Sequence, residues 1–157
     1  MRKMVKWPKP SKTYLLRSQQ GGVCLEMALV LPLLLILVFG LADFGHAWYM
    51  KQELTTAARE GARYATRYQT DASGTHLLPN ALSPSVSDWV TTKYQPLLPT
   101  TANLTVTPTG PGYTSGLPGD DIAVTVTARK HWFVMGSLIP ALGSYMDVSA
   151  TTVMKVE

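Results

Sequence analysis

Cysteine is almost absent from this chain of 157 residues, which has Cys24 alone. An internal disulfide is therefore excluded, and a small folded domain must be stabilised by packing or by association with a partner. Cys24 also lies at the start of an apolar run, whereas the lipid-attached cysteine of a lipoprotein follows its apolar stretch. We therefore expect no lipid attachment at this residue.

Acidic residues are missing from the first 21 positions. That segment holds six basic residues, which are Arg2, Lys3, Lys6, Lys9, Lys12 and Arg17. The remainder has eight basic residues against all ten acids of the chain, so it is slightly acidic. Because a nucleic-acid-binding domain carries its basic face on the folded part, we expect no nucleic-acid partner.

Charge is also nearly absent from Val23–Ala42, which reads VCLEMALVLPLLLILVFGLA and contains one acid, Glu26. As a helix, these twenty residues would span roughly 30 Å, the thickness of the hydrocarbon core of a bilayer. We predict a transmembrane helix over residues 22–43, after a basic leader over residues 1–21. Pro32 is compatible with such a helix.

The flanks of this run predict its orientation. Six basic residues precede the run, and only Lys51 follows it closely. Positive flanks stay in the cytoplasm, so we expect a cytoplasmic N-terminus and an extracytoplasmic C-terminal domain. Trp48 and Tyr49 suit the headgroup region on the exit side. One alternative is a secretory signal cut after Ala42, since Gly40-Leu41-Ala42 is a small-x-small triplet. The long stretch before the run, Pro32 and Glu26 disfavour it.

Glu26 is unfavourable within an apolar run and therefore needs a partner or a purpose. A carboxylate at the centre of a membrane costs about 2.5–3.5 kcal/mol, and less near the edge. If the chain were cut between Gly21 and Gly22, Glu26 would be the fifth residue, one helical turn from a new α-amino group. It could then neutralise the amino terminus of a neighbouring subunit. Alternatively, its side chain reaches the cytoplasmic interface.

Three segments carry a resemblance to a known family: RSQQGGVCLE at 17–26, Phe44-Gly45 and AAREGARYA at 57–65. They resemble the TadE-like proteins, minor pseudopilins of the tight-adherence (Tad, Flp-type) pilus machinery, most strongly over residues 17–68. The resemblance implies an inner-membrane pilus assembly protein of bacteria whose partners are lipid, a prepilin peptidase and other pilin or pseudopilin subunits. It also implies cleavage after a glycine, here Gly21 or Gly22, with Glu26 as the acid at position five. Met27 departs from the family, in which an aromatic residue often follows the acid. An unprocessed membrane scaffold that binds another envelope component is a further alternative.

The helical pattern continues beyond the membrane. Residues 43–67 contain no proline, and one stripe has 4-3-4-3 spacing: Leu54, Ala58, Gly61, Ala65 and Tyr68. Small residues that allow close backbone approach are Ala57, Ala58, Gly61, Ala62 and Ala65. We predict one helix from about residue 23 to about 69, with an extramembrane extension over 44–69. The stripe could contact other subunits, or cover the sheet of its own chain. We expect Arg59, Arg63 and Arg67 on a solvated face, with Glu60 as a possible partner of Arg63.

The helical and alternating patterns within residues 70–157 predict a small α+β domain. Ser85 caps a short helix whose apolar face comprises Val86, Trp89, Val90, Tyr94 and Leu97, and prolines end that helix. Alternating patterns around 104–106 and 122–126, and a Thr- and Val-rich run at 148–156, predict three strands. A hairpin loop is expected over 110–119, and the apolar segment 132–144 should pack on the sheet or lie at the membrane surface. A long helix on a small antiparallel sheet is a pilin-like architecture, in agreement with the resemblance.

Residues suited to catalysis are scattered. His46, His76 and His131 lie on different predicted elements, without metal-ligand spacing. Asp120-Asp121 follows a turn and is expected to start a strand. We therefore predict no enzyme, no metal site and no cofactor.

Overall fold

The structure, a computed structural model, describes the backbone of residues 17–157 and the side chains from Gly21 onward. The predicted leader therefore lies outside the described residues up to position 16. Between residues 17 and 157, four α-helices and three strands follow one another as α1 (Arg17–Thr66), α2 (Val86–Tyr94), β1 (Leu104–Thr109), α3 (Pro111–Ser115), β2 (Asp121–His131), α4 (Met135–Leu138) and β3 (Tyr145–Lys155). The predicted α+β class is confirmed, with a long N-terminal helix, a short second helix and a small antiparallel sheet.

The chain comprises two compact units that divide between Val38 and Phe39. In the first unit, the described residues belong to α1, and the side chains from Gly21 to Val38 are exposed. Among the described residues, one helix is long and apolar enough to cross a membrane, namely Gly21–Thr66. Its most apolar stretch of 18 residues contains no buried residue. Pro32 lies inside this helix without ending it.

The second unit contains a three-stranded antiparallel sheet in the order β1-β2-β3. In the β1–β2 pair, Leu104 lies opposite Ala128. In the β2–β3 pair, Asp121 lies opposite Lys155. Residues 110–120 connect the first pair and residues 132–144 connect the second. The alternating β-branched residues favour strand structure. β2 buries every second residue over most of its length, namely Ile122, Val124, Val126, Ala128 and Lys130.

The core lies between that face of the sheet, α1 and α2. α1 contributes Met50, Leu54, Ala57, Ala58, Ala62 and Ala65, and α2 contributes Val86, Val90 and Tyr94. α2 begins as the sequence predicts, because the Asp88 backbone N–H donates to Ser85 Oγ at 3.1 Å. Capping of this kind satisfies a donor that the first turn otherwise leaves free.

α1 begins at Arg17 rather than near residue 23. Four further details differ from the sequence prediction. α1 ends at Thr66 rather than near residue 69, because a turn organised by the Asp71 carboxylate follows, with Leu77 N–H donating to Gln69 O at 2.8 Å. The predicted loop 110–119 contains α3. β3 extends from Tyr145 to Lys155 instead of 148–156.

The fourth difference concerns Leu97, which is exposed, whereas Leu98 is buried. Pro96 cannot donate a helical hydrogen bond, so the chain tightens into a 3₁₀ turn over Gln95–Leu97. This turn removes Leu97 from the apolar face of α2.

Candidate functional site

The predicted cleavage residues lie on an open part of α1. Gly21 and Gly22 are exposed, and a Cβ added to either would meet no atom within 4 Å. Glu26 is also exposed and follows Gly22 by four residues, so the two share one face of the helix. The side chain of Glu26 makes no hydrogen bond or ion pair with the described residues. The Glu26 carboxylate therefore faces the surroundings of the helix rather than another part of the described chain.

The predicted small-residue face points into the fold of this chain. Ala57, Ala58, Ala62 and Ala65 are buried, and Gly61 is buried beside them. A Cβ on Gly61 would lie 2.7 Å from Val90 Cγ2 and 3.2 Å from Val124 Cγ1. Gly61 therefore allows α1 to approach both α2 and β2. Tyr68, the last residue of the predicted stripe, lies beyond the helix and is exposed.

A buried ion pair that the sequence analysis missed joins α1 to the end of β2. Lys130 Nζ donates to Asp43 Oδ1 at 2.9 Å, and both side chains are almost fully buried. The backbone N–H groups of Phe133, Val134 and Met135 donate to the same carboxylate at 2.9, 3.3 and 3.2 Å. Four donors satisfy the buried charge, as a buried carboxylate requires.

The alternation of β2 contained a signal for this pair. Lys130 continues the inward series of Ile122, Val124, Val126 and Ala128 at period two, so a lysine at this position needs a buried acid. The sequence did not identify that acid, because Asp43 is 87 residues away along the chain.

The three histidines are separated, and each packs on a different aromatic ring. Ring centroids lie 5.0 Å apart for His46 and Phe133, 4.3 Å for His76 and Tyr68, and 6.0 Å for His131 and Tyr145. Burial lowers the pKa of His46, and the charge of Lys130 lowers this pKa further. No cluster of three or more histidine, cysteine, aspartate or glutamate residues suited to a metal occurs between Gly21 and Glu157.

Glu60 pairs across elements rather than along α1. Lys93 Nζ of α2 donates to Glu60 Oε2 at 2.7 Å, which corrects the expected pairing of Glu60 with Arg63. This hydrogen bond holds the pKa of Glu60 below its usual range. Trp89 lies under the Lys93 ammonium and stacks on Tyr64 with 4.9 Å between ring centroids.

The arginine face of α1 borders this cluster. Arg59, Arg63 and Arg67 are exposed, as predicted, and none forms an ion pair with a described residue. Their charges are available to solvent.

An exposed apolar helix that continues into a small α+β domain is typical of a protein anchored by one membrane-spanning helix. The model of the family described as TadE-like protein matches residues 21–63, and this match confirms the predicted resemblance for that segment. No curated protein and no solved structure matches the chain.

Proposed function

We propose that this chain is a minor pseudopilin, or pilus assembly protein, of a Tad (Flp-type) adhesion pilus. Residues 22–43 cross the bacterial inner membrane, the N-terminus is cytoplasmic and residues 70–157 form an extracytoplasmic domain. A prepilin peptidase removes the leader after Gly21 or Gly22. The observation that carries this proposal is the TadE-like segment 21–63, which begins at the predicted cleavage site and includes an exposed apolar helix with one acid.

The exposure of α1 supports assembly with lipid and with other subunits. Leu29, Leu33 and Leu37 expose most of their surface, and no residue between Gly21 and Phe39 is buried. Water is an unfavourable environment for so much apolar surface, whereas lipid or the apolar helix of a neighbouring subunit is favourable.

The surroundings of Asp43 favour a retained helix over secretion with a cut after Ala42. Gly40, Leu41 and Ala42 are helical, and Asp43 is buried through four hydrogen-bond donors. A cut at Ala42 would place the new amino group directly next to the buried ion pair with Lys130.

Leader removal is tested by expressing the full chain with and without the cognate prepilin peptidase. The mature N-terminus, read by sequencing and by intact mass, is expected at Gly22, or at Val23 if the second glycine is used. Gly21→Ala combined with Gly22→Ala should block processing, and Gly45→Ala is the matched control. Recovery of the intact chain from peptidase-containing membranes contradicts processing and favours the scaffold alternative. An N-terminus at Asp43 favours secretion instead.

A further inference from the structure

The loop that joins β2 to β3 groups large apolar side chains at the surface. Residues 132–144 read WFVMGSLIPALGS and contain no charged residue. Within them, Phe133, Leu138 and Leu142 expose 67%, 48% and 44% of their surface. Grouped apolar exposure of this kind is unfavourable in water and marks a surface that contacts something else.

The depth of this loop along α1 is fixed by Asp43. The carboxylate accepts hydrogen bonds from the backbone N–H groups of Phe133, Val134 and Met135, which open the loop. A Cβ added to Gly40 would lie 3.7 Å from Met135 Sδ. Gly40 belongs to the apolar run and Asp43 follows its last residue, so the loop contacts α1 where the run ends.

Further apolar groups surround this contact. Phe44 and Trp48 of α1 are exposed and stack on each other with 6.4 Å between ring centroids. A cavity of about 300 Å³ between α1 and the loop is lined by apolar groups of Phe44, Trp132 and Leu142, among others. Aromatic side chains at the end of a membrane-spanning run are typical of the interface between hydrocarbon and headgroups.

We infer that the β2–β3 loop is a second membrane contact, which inserts Phe133, Leu138 and Leu142 into the outer interface of the bilayer that α1 crosses. We assign lipid as the occupant of this surface, because the loop contacts α1 where the membrane-spanning run ends. Since the loop has no charge, its insertion depends on apolar contact and not on anionic lipid. The inference rests on the proposed anchoring by α1, but not on leader processing or on a role in the pilus.

The test measures the depth of fluorescent labels in the full chain reconstituted in liposomes. Cys24→Ser removes the native thiol, and single cysteines are then introduced by Leu138→Cys, Leu34→Cys or Leu117→Cys. Leu34 lies in the apolar run, and Leu117 is 61% exposed before the other end of β2. That strand has eleven residues, so Leu117 lies about 30 Å from the loop. Ile139→Cys is a second label position in case Leu138→Cys misfolds.

Each variant is mixed with lipids that carry a nitroxide at the headgroup or deep in the acyl chain. The deep nitroxide should quench the Leu34→Cys label, and the headgroup nitroxide should quench the Leu138→Cys and Ile139→Cys labels. Their quenching should exceed that of Leu117→Cys by about twofold or more, whether or not anionic lipid is present.

Four results would contradict the inference, and they are distinguishable. If the Leu34→Cys label is not quenched, anchoring by α1 is wrong and the loop proposal fails with it. If that label is quenched but neither loop label exceeds Leu117→Cys, the loop contact alone is overturned. A loop label that enters an apolar environment without nitroxide quenching would show that a second copy covers the surface, which also contradicts the inference. Quenching that requires anionic lipid would contradict its apolar basis.

Discussion

Asp43 and Lys130 show how one residue at the end of an apolar run fixes a distant segment. The acid follows the apolar run directly, and the lysine occupies an inward position near the end of β2. Two charges removed from water are stabilised only if each keeps its partners. Asp43 has four hydrogen-bond donors, whereas Lys130 has Asp43 Oδ1 and the His131 carbonyl at 3.0 Å as acceptors. The two residues should therefore respond differently to substitution.

We expect Asp43→Asn to destabilise the extramembrane domain by about 3–5 kcal/mol, because it leaves the Lys130 ammonium buried without its anion. Lys130→Met should cost less, since three backbone N–H groups still bind the carboxylate. The double variant should cost less than the sum of the single variants, with a coupling of about 0.5–3 kcal/mol. Denaturant unfolding of the full chain in detergent, followed by tryptophan fluorescence, measures these values.

The exposed pair of Lys155 and Asp121 provides the matched control. Its nitrogen–oxygen distance is 3.0 Å, close to that of the buried pair, but more than half of each side chain is exposed. Asp121→Asn should change stability by no more than about 1 kcal/mol. Equal losses for Asp43→Asn and Asp121→Asn, or additive losses in the double variant, would contradict the structural role of the buried pair.

Glu26 acts at the same scale, but its proposed partner belongs to another subunit. Glu26→Gln keeps the size and removes the charge, so membrane insertion and leader cleavage should persist. Co-purification with other pilin subunits and piliation should decrease, because the neighbouring α-amino group loses its counter-charge. Glu53→Gln, which removes another acid from α1, is the control. Normal assembly of processed Glu26→Gln would show that Glu26 only occupies the cytoplasmic interface.

At the scale of elements, α1 has two environments along one continuous helix. From Gly21 to Val38 its side chains are exposed and mostly apolar, whereas from Met50 onward one face is buried against the sheet and α2. Small residues make the second environment possible, because they let the helix approach β2 and α2 closely. At Gly61 an added Cβ would lie only 2.7 Å from Val90 Cγ2, so a larger residue would not fit without a shift.

Gly61→Ala should lower the stability of the domain relative to Gly45→Ala. The new methyl group would meet the stiff side chains of Val90 and Val124, and such overpacking costs about 1–3 kcal/mol. Gly45 lies in the same helix with no atom within 4 Å of an added Cβ, so alanine there should gain up to about 1 kcal/mol of helix propensity. Thermal unfolding of both variants in detergent measures the difference. Equal melting temperatures would show that the contact at Gly61 relaxes without cost.

At the scale of the whole molecule, the distribution of charge supports one orientation. Six basic residues precede the apolar run, and the part after Gly21 is slightly acidic. Basic flanks remain on the cytoplasmic side and are further attracted to anionic lipid. The proposed function requires this orientation, since the prepilin peptidase cuts on the cytoplasmic side.

We therefore expect the C-terminus of the chain, Glu157, to lie outside the cytoplasm, which reporters fused after this residue can test. Alkaline phosphatase, which needs an oxidising compartment, and a fluorescent protein that matures in the cytoplasm form a matched pair. We expect activity from the first fusion and little fluorescence from the second. The reverse result would overturn both the orientation and the proposed function.

Local sequence patterns were enough to predict α1, α2 and the three strands, but not the short helices α3 and α4. The apolar run predicted the exposed helix, Ser85 predicted the start of α2, and alternation predicted the three strands, because each depends on neighbours a few residues apart. Residues 17–68 also sufficed for the family resemblance. The boundaries were less accurate where a proline or a polar turn intervened, as at Pro96 and Asp71.

Which residues meet across the chain is set by the fold and not by local sequence patterns. The sequence left two partners open for the small-residue face of α1, and folding buries that face in the chain's own core. The pairing of Glu60 with Lys93, and of Asp43 with Lys130, joins residues 33 and 87 positions apart. No local pattern encodes such contacts, because they arise when the antiparallel sheet carries the end of β2 to the exit of the apolar run. That packing also places the uncharged β2–β3 loop beside Asp43.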